Sequence, residues 1–237
     1  MRLDVYLFEN ALAQSRNKAG EMIKNREVFV DGDVITKSSF QVNENLQIVV
    51  KEKMQYVGRA GNKLKGFIQD CKALHVQGLN CLDIGSSTGG FVQVLLEEGA
   101  KSVSAVDVGS EQLHVSLKDN KRIKLYEQTD IREFKSDEKF DLVTCDVSFI
   151  GIEQILSDID RLSSDKIVIL FKPQFEVGVG IKRNKKGVVK DISAIKRVKE
   201  NFVAKCFTCG WELIETQKSI LKGKEGNEET FYYFSKR

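Results

Sequence analysis

From about Tyr56 onward the chain alternates short apolar runs of strand length with stretches of helical spacing, and few folds accept that rhythm. The strand candidates are NCLDIG (80–85), SVSAVDVG (102–109), IKLYEQT (123–129), FDLVTCDV (140–147) and KIVILFKP (166–173), with helical patterns between most of them. Strands separated in this way join by crossovers and not by hairpins. The rhythm therefore predicts an α/β domain, a mostly parallel sheet with helices on both faces. ELIETQKSI (212–220) and TFYYFSKR (230–237), joined by the polar loop LKGKEGNEE, read as an antiparallel pair added at the sheet edge, giving seven strands with the last antiparallel. Pro173, the only proline, falls just after a strand, where it removes no ladder bond.

The first fifty residues are patterned differently. Leu3, Leu7, Ala11 and Leu12 recur at helical spacing, Ser15 is placed to cap a second helix, and Ala19, Met22 and Ile23 give that helix an apolar face. VFVDGDVI then alternates around Asp31-Gly32, a hairpin turn signal, and LQIVV supplies a further strand. The expected organisation is a small α+β module over 1–50, a linker over 51–58 (KEKMQYVG) and the α/β domain over 59–237. No apolar run approaches the roughly 18 residues of a membrane span. The segment MRLDVYLFENALAQSR is too polar for a signal peptide, so a soluble cytoplasmic protein is expected, and it is expected to be a monomer. The five cysteines are scattered and odd in number, which favours free thiols. Cys206 and Cys209 form a C-x-x-C with no second pair and no nearby histidine, so they read as buried structural thiols, and no metal is expected.

The chemistry concentrates at strand ends. In LDIGSSTGGF (82–91) a strand runs into a glycine-rich turn and then a helix, the place where doubly wound sheets bind ligands. Gly85, Gly89 and Gly90 allow close approach of backbone to ligand, and Ser86, Ser87, Thr88 and Phe91 complete the turn. The spacing fits neither G-x-G-x-x-G nor a P-loop. With Asp83 ahead of it, the turn resembles the first motif of Rossmann-like methyltransferases, where it backs the methionine part of the cofactor; the alternative is a tight turn with no ligand. Asp107, followed by Val108, ends the next strand, where a carboxylate can accept from both hydroxyls of an adenosine ribose. Asp130, before Ile131, ends the third; it could meet an adenine amino group or cap a helix. Lys63, Asp146, Lys172 and Glu229 are charged residues near predicted strand ends or beside them, and Asp146 and Lys172 end adjacent strands. From Lys172 to Lys190 stand six basic residues against one acid, Glu176. Such a run is often a solvated loop, but a polyanion contact is the sharper reading.

Taken in order, YVGRAGNKL, LDIGSSTGGF, AVDVG, DVSFI, FKPQFEVG and GNEETF resemble the TlyA (hemolysin-A-like) family over essentially the whole chain. That resemblance implies an S4-like RNA-binding domain joined to an FtsJ-type ribose 2′-O-methyltransferase that uses S-adenosylmethionine. It further implies a Lys-Asp-Lys-Glu catalytic set on Lys63, Asp146, Lys172 and Glu229, the last with Glu228 beside it. The implied substrate is a cytidine ribose in ribosomal RNA, foremost 23S with 16S as a further candidate, in a family linked to capreomycin susceptibility. A 2′-hydroxyl is a poor nucleophile, and Lys172 is the candidate base, with Lys63 as its cationic neighbour and the two acids orienting the pair. For RNA the candidates are Arg2, Ser15, Arg16, Lys18, Lys24 and Arg26 in the N-terminal module, Arg59, and Lys182, Arg183, Lys185 and Lys186 in the loop KRNKKGVVK. Residues 1–53 hold eight basic and eight acidic residues, so recognition there must rest on local clustering and RNA shape. Two other readings stand beside this one: a membrane-active cytolysin and a non-catalytic RNA-binding scaffold.

Overall fold

The computed structural model describes residues 1–10, 12–13, 15–43, 46–50 and 56–236, and the chain divides into two compact units, 1–54 and 55–237. In the smaller unit, helices α1 (Leu3–Glu9) and α2 (Arg16–Lys24) precede strands β1 (Val28–Val30), β2 (Asp33–Val34) and β3 (Ile48–Val50), which form an antiparallel sheet of order β2-β1-β3. Leu3, Leu7, Ala19, Ile23, Val28, Val30 and Val42 make its core. Ser15 caps α2, its Oγ accepting from the Lys18 N–H at 3.2 Å. Asp31 and Gly32 both have positive φ, 51° and 92°, as a type I′ turn demands of a two-residue hairpin. The helical spacing expected to continue to Ala11 and Leu12 stops sooner. Asn10 closes α1 by donating back to the Tyr6 carbonyl, Leu12 is exposed, and Ala11 lies outside the described residues.

The larger unit begins with α3 (Arg59–Asp70). It continues through β4 (Asn80–Ile84), α4 (Gly90–Glu97), β5 (Ser102–Val106), α5 (Val115–Lys118), β6 (Ile123–Tyr126), β7 (Phe140–Cys145), α6 (Leu156–Leu162), β8 (Ser163–Phe171), α7 (Pro173–Glu176), α8 (Ile192–Thr208), β9 (Trp211–Lys218) and β10 (Thr230–Lys236). The seven strands lie in the order β6-β5-β4-β7-β8-β10-β9. Pairing is parallel from β6 to β8, and β10 runs antiparallel to both neighbours. The terminal pair therefore joins the sheet edge with its second strand inside and β9 outermost.

Both faces are covered, which is why the central strands read as nearly unbroken apolar runs. On one face α3 and α4 pack Leu64, Phe67, Phe91 and Leu95 over Val103, Leu142, Val168, Leu170 and Phe231. On the other, α6 and α8 place Ile159 and Phe202 over Leu82, Val143, Ile167, Ile169 and Phe234. Successive residues of β8 thus alternate between two cores. Gly61 and Gly90 let α3 and α4 approach, since a Cβ on Gly90 would come within 2.8 Å of the Gly61 nitrogen. Of the expected linker, 51–55 lies outside the described residues, while Tyr56–Gly58 belong to the larger unit. The Tyr56 ring is buried in the α3–α4 core, Val57 N–H donates to Gln93 Oε1, and Gly58 precedes α3 as its N-cap. All five cysteines are free thiols, and burial pushes those of Cys206 and Cys209 up.

Candidate active site

The sheet's chain direction reverses its order at β4: β5 and β6 lie to one side, β7 and β8 to the other. At the carboxyl ends of these strands, where such a switch point leaves a crevice, a cavity of about 500 Å³ opens. Gly85, Ser87, Asp107, Val108, Asp130, Ile131 and Asp146 line it. A second cavity of about 260 Å³ shares Gly85, Ser87, Asp146 and Ser148, and adds Ser86, Thr88, Gly90, Phe91, Arg59 and Lys172.

The turn after β4 is held from both sides. Gly85, at φ 80°, sits so close to the Asp146 backbone that a Cβ would come within 2.9 Å of the Asp146 carbonyl oxygen. Ser87 N–H donates to Asp107 Oδ2 at 2.8 Å, and Gly109 N–H to Asp107 Oδ1 at 2.7 Å, so one carboxylate ties the glycine turn to the end of β5. Beneath the turn, Asp83 is 1% exposed. Its Oδ1 accepts from Thr144 Oγ1 at 2.7 Å and its Oδ2 has no partner. Burial lifts the Asp83 carboxyl to about 7, against the Thr144 hydrogen bond that lowers it. Asp130 is engaged by Arg132, whose guanidinium lies 2.5 Å from it and holds its carboxyl below the usual range. Its side chain also accepts from the Arg132 N–H, a local turn cap and not a regular helix cap.

Four charged residues form two neighbouring pairs, of which Asp146 and Lys172 line the cavities. Lys172, the residue after β8, places Nζ 2.6 Å from Asp146 Oδ1 and donates to Ser148 Oγ at 3.0 Å. Lys63, from α3, reaches Glu229 Oε2 at 2.5 Å across 166 residues of chain. Lys63, Lys172 and Glu229 are each under 9% exposed, and buried charges of this kind persist only when paired. Burial raises the Asp146 carboxyl, while Lys172 and then Lys63 pull it down and Glu229 pushes it up, so the two pairs share one electrostatic neighbourhood. Glu229 and not Glu228 faces Lys63; Glu228 is exposed and pairs with Lys218 at 3.2 Å.

Gln112, Ser148 and Phe149 are not among the residues expected at the site, although the last two stand in DVSFI, yet they line the crevice. Gln112 Oε1 accepts from Ser87 Oγ at 3.0 Å. Phe149 is 92% exposed, has φ 67° and leans on Phe175 at 5.3 Å between ring centres. An aromatic residue held with positive φ and open to solvent at a cleft rim is strained, and strain of this kind gathers at functional sites.

The basic candidates differ in how free they are. Arg2 and Arg16 both converge on Asp4, at 2.9 and 3.2 Å, which holds that carboxyl down to about 2. Lys18 pairs with Glu21 at 2.6 Å, and Ser15 is occupied as a helix cap. Lys24, Arg26, Arg59, Lys182, Lys185 and Lys186 are exposed. Arg183, expected as a phosphate contact, is instead half-buried. Its guanidinium donates to the carbonyls of Gln174, Gly178, Val179 and Ile181.

A sheet of this order, with a glycine turn at its switch point and paired lysines and acids at its rim, defines a Rossmann-like methyltransferase. The family model for FtsJ-like methyltransferases matches residues 56–236 and that for the S4 domain matches 1–48. The chain belongs to the TlyA family, FtsJ-like methyltransferases that carry an S4 domain. It is 49% identical, over the full length of both, to the 23S rRNA (cytidine-2′-O)-methyltransferase TlyA of Campylobacter jejuni. It is 36% identical to the 16S/23S rRNA (cytidine-2′-O)-methyltransferase TlyA of Mycobacterium tuberculosis, over 98% of this chain and 88% of that one. Among solved structures, a hemolysin-named protein of Streptococcus thermophilus is 31% identical and superposes with a TM-score of 0.75, covering 100% of this chain and 88% of that one. Among the described residues no helix is long and apolar enough to cross a membrane, and no cluster of side chains could hold a metal ion.

Proposed function

We propose that this protein methylates the 2′-hydroxyl of a cytidine ribose in 23S ribosomal RNA, using S-adenosylmethionine, in the cytoplasm. The observation that carries the reading is the buried quartet, Lys172–Asp146 beside Lys63–Glu229, of which Asp146 and Lys172 line the nucleotide-sized crevice and its neighbouring cavity. The residues present fit the cofactor. Asp83 Oδ2 and Ser86 Oγ are buried without partners, as polar atoms awaiting a ligand's amino and carboxylate groups would be. A carboxylate offers about four lone-pair sites, and the two backbone donors on Asp107 leave capacity for ribose hydroxyls. Val108, Ile131 and Ile155 give the crevice apolar walls suited to an adenine. When bound, the sulfonium supplies an electrophilic methyl group.

The protein's own residues do the rest. Asp146 is 2.6 Å from Lys172 Nζ, and its burial raises its affinity for a proton. Lys172 Nζ is the candidate acceptor for the proton of the 2′-hydroxyl, with Asp146 holding it in place. Ser148 Oγ fixes the direction of Nζ, and Lys63–Glu229 sets the field in which the pair works. Phe149 offers a stacking face for a base at the rim, and Lys182, Lys185 and Lys186 offer charge to the backbone. The S4 unit, with Arg2 and Arg16 preset by Asp4, positions the RNA.

The test is to map ribose methylation in ribosomal RNA treated with the purified protein and with Lys172→Ala. A methylated cytidine in 23S rRNA that disappears with Lys172→Ala is expected, with cofactor and RNA affinity kept within about twofold. Near wild-type transfer by Lys172→Ala removes the base assignment, and no transfer by the wild type removes the function. Transfer to 16S rRNA as well would mark a second substrate.

A further inference from the structure

The lysine-rich loop after β8 is a built hairpin. Asn184 Oδ1 accepts from the N–H groups of Lys186 and Val188, Asn184 N–H bonds the Val188 carbonyl, and Gly187 closes the turn at φ 78°. Lys185 and Lys186 stand at its exposed tip. Below the tip, Val177, Val189 and Ala194 form a small core of their own, with Ile181, Ile195 and Val198 against it.

Both legs of this hairpin are anchored to segments that carry two members of the quartet, Lys172 and Glu229. On one leg Arg183 donates to the Gln174 carbonyl at 3.2 Å, two residues past Lys172, and to Gly178 at 2.8 Å and Ile181 at 3.0 Å. On the other leg Asn227 is 5% exposed and its Oδ1 accepts from Val189 N–H at 3.0 Å. Its Nδ2 reaches the Gly187 carbonyl at 3.5 Å. Asn227 stands two residues before Glu229, and its own carbonyl accepts from Gly223 N–H at 2.9 Å, in the turn that packs against the Glu229 carboxylate. A buried amide and a guanidinium shared among carbonyls are stiff couplings, because loosening either leaves desolvated polar groups unpaired.

We infer that Arg183 and Asn227 are positioning residues that lock the hairpin to the Lys172 and Glu229 turns, so that RNA seated on Lys185 and Lys186 aligns the two catalytic pairs. The inference rests on the methyltransferase function proposed above. It separates two tasks that a basic loop usually merges: the lysines hold the RNA, and the two anchors convert that hold into alignment.

The experiment compares Arg183→Lys and Asn227→Ala with wild type on ribosomal RNA, measuring the single-turnover methyl-transfer rate at saturating RNA and, separately, the RNA dissociation constant. Lysine keeps the charge a phosphate contact needs but cannot span several carbonyls. Each variant is expected to lose about tenfold or more in saturated rate, as small misplacements of reacting groups do, with RNA affinity within about twofold. Weaker RNA binding with an unchanged saturated rate overturns the inference, because the residues then serve binding alone. A lowered melting temperature with an unchanged rate overturns it as well. Should Asn227→Ala fail to fold, Arg183→Lys decides the matter. A wild type that transfers no methyl group refutes the proposed function first, and this inference falls with it.

Discussion

Replacing Asp83 with Asn removes a carboxyl that the fold keeps protonated up to about 7, against 3.8 for a free aspartate. The folded value lies above the unfolded one. The stability tied to that proton is therefore whole below pH 3.8 and is lost as pH rises to about 7. At about 1.4 kcal/mol per tenfold, the loss at pH 8 is on the order of 4 kcal/mol. Asn cannot ionise, and its Oδ1 can still accept from Thr144 Oγ1. Without cofactor, Asp83→Asn should match wild type near pH 4 and exceed it by about 2–4 kcal/mol at pH 8, or roughly 5–10 °C in melting temperature for a unit of this size. Thermal melts across that range are the assay. Equal melting at pH 8, or an excess that does not shrink on acidification, would refute the reasoning. Cofactor affinity should run the other way. In wild type it should rise with pH as Asp83 ionises near a bound amino group, and in Asp83→Asn it should be weaker and flat, as calorimetry would show.

Asp107→Ala removes the acceptor of two backbone donors and of the expected ribose hydroxyls, so cofactor affinity should fall by about tenfold to a hundredfold in the same calorimetry; unchanged affinity sinks the clamp. Neutralising Lys182, Lys185 and Lys186 together should weaken RNA binding and flatten the slope of log affinity against log salt by about 2 to 3, and an unaltered slope removes the hairpin tip from the interface. Asp4 is held down to about 2, chiefly by Arg2, so its contribution is present above pH 3.8 and lost as pH falls through about 2. Its arginine partners are exposed, which limits the loss in Asp4→Ala to about 1–2 kcal/mol in melts at neutral pH.

The strand rhythm was legible because the central strands are buried on both faces and so write nearly unbroken apolar runs; β4, β5, β7 and β8 lie where those runs stand. The Asp31-Gly32 turn was legible because few residue pairs take positive φ twice in succession. Tyr56 was not: one aromatic among charged neighbours has the composition of a linker, and only the packing of α3 reveals its burial. Nor was Arg183, since a charge count treats every arginine of a basic loop alike, whatever acceptors its fork meets. Gln112, Ser148 and Phe149 enter the crevice through loop backbone that no periodicity describes. The choice between Glu228 and Glu229 turned on the alternation of the two residues that lead into β10, one side chain turned inward to Lys63 and its neighbour outward to Lys218.

The place of β10 in the sheet has a consequence for timing. It is synthesised after every other strand, yet it lies between β8 and β9, and Glu229 leads into it. Until that segment has left the ribosome, β8 has an open edge, β9 has no neighbour, and Lys63 lacks its carboxylate. A growing chain would thus lack one of its two buried ion pairs until its last strand arrives.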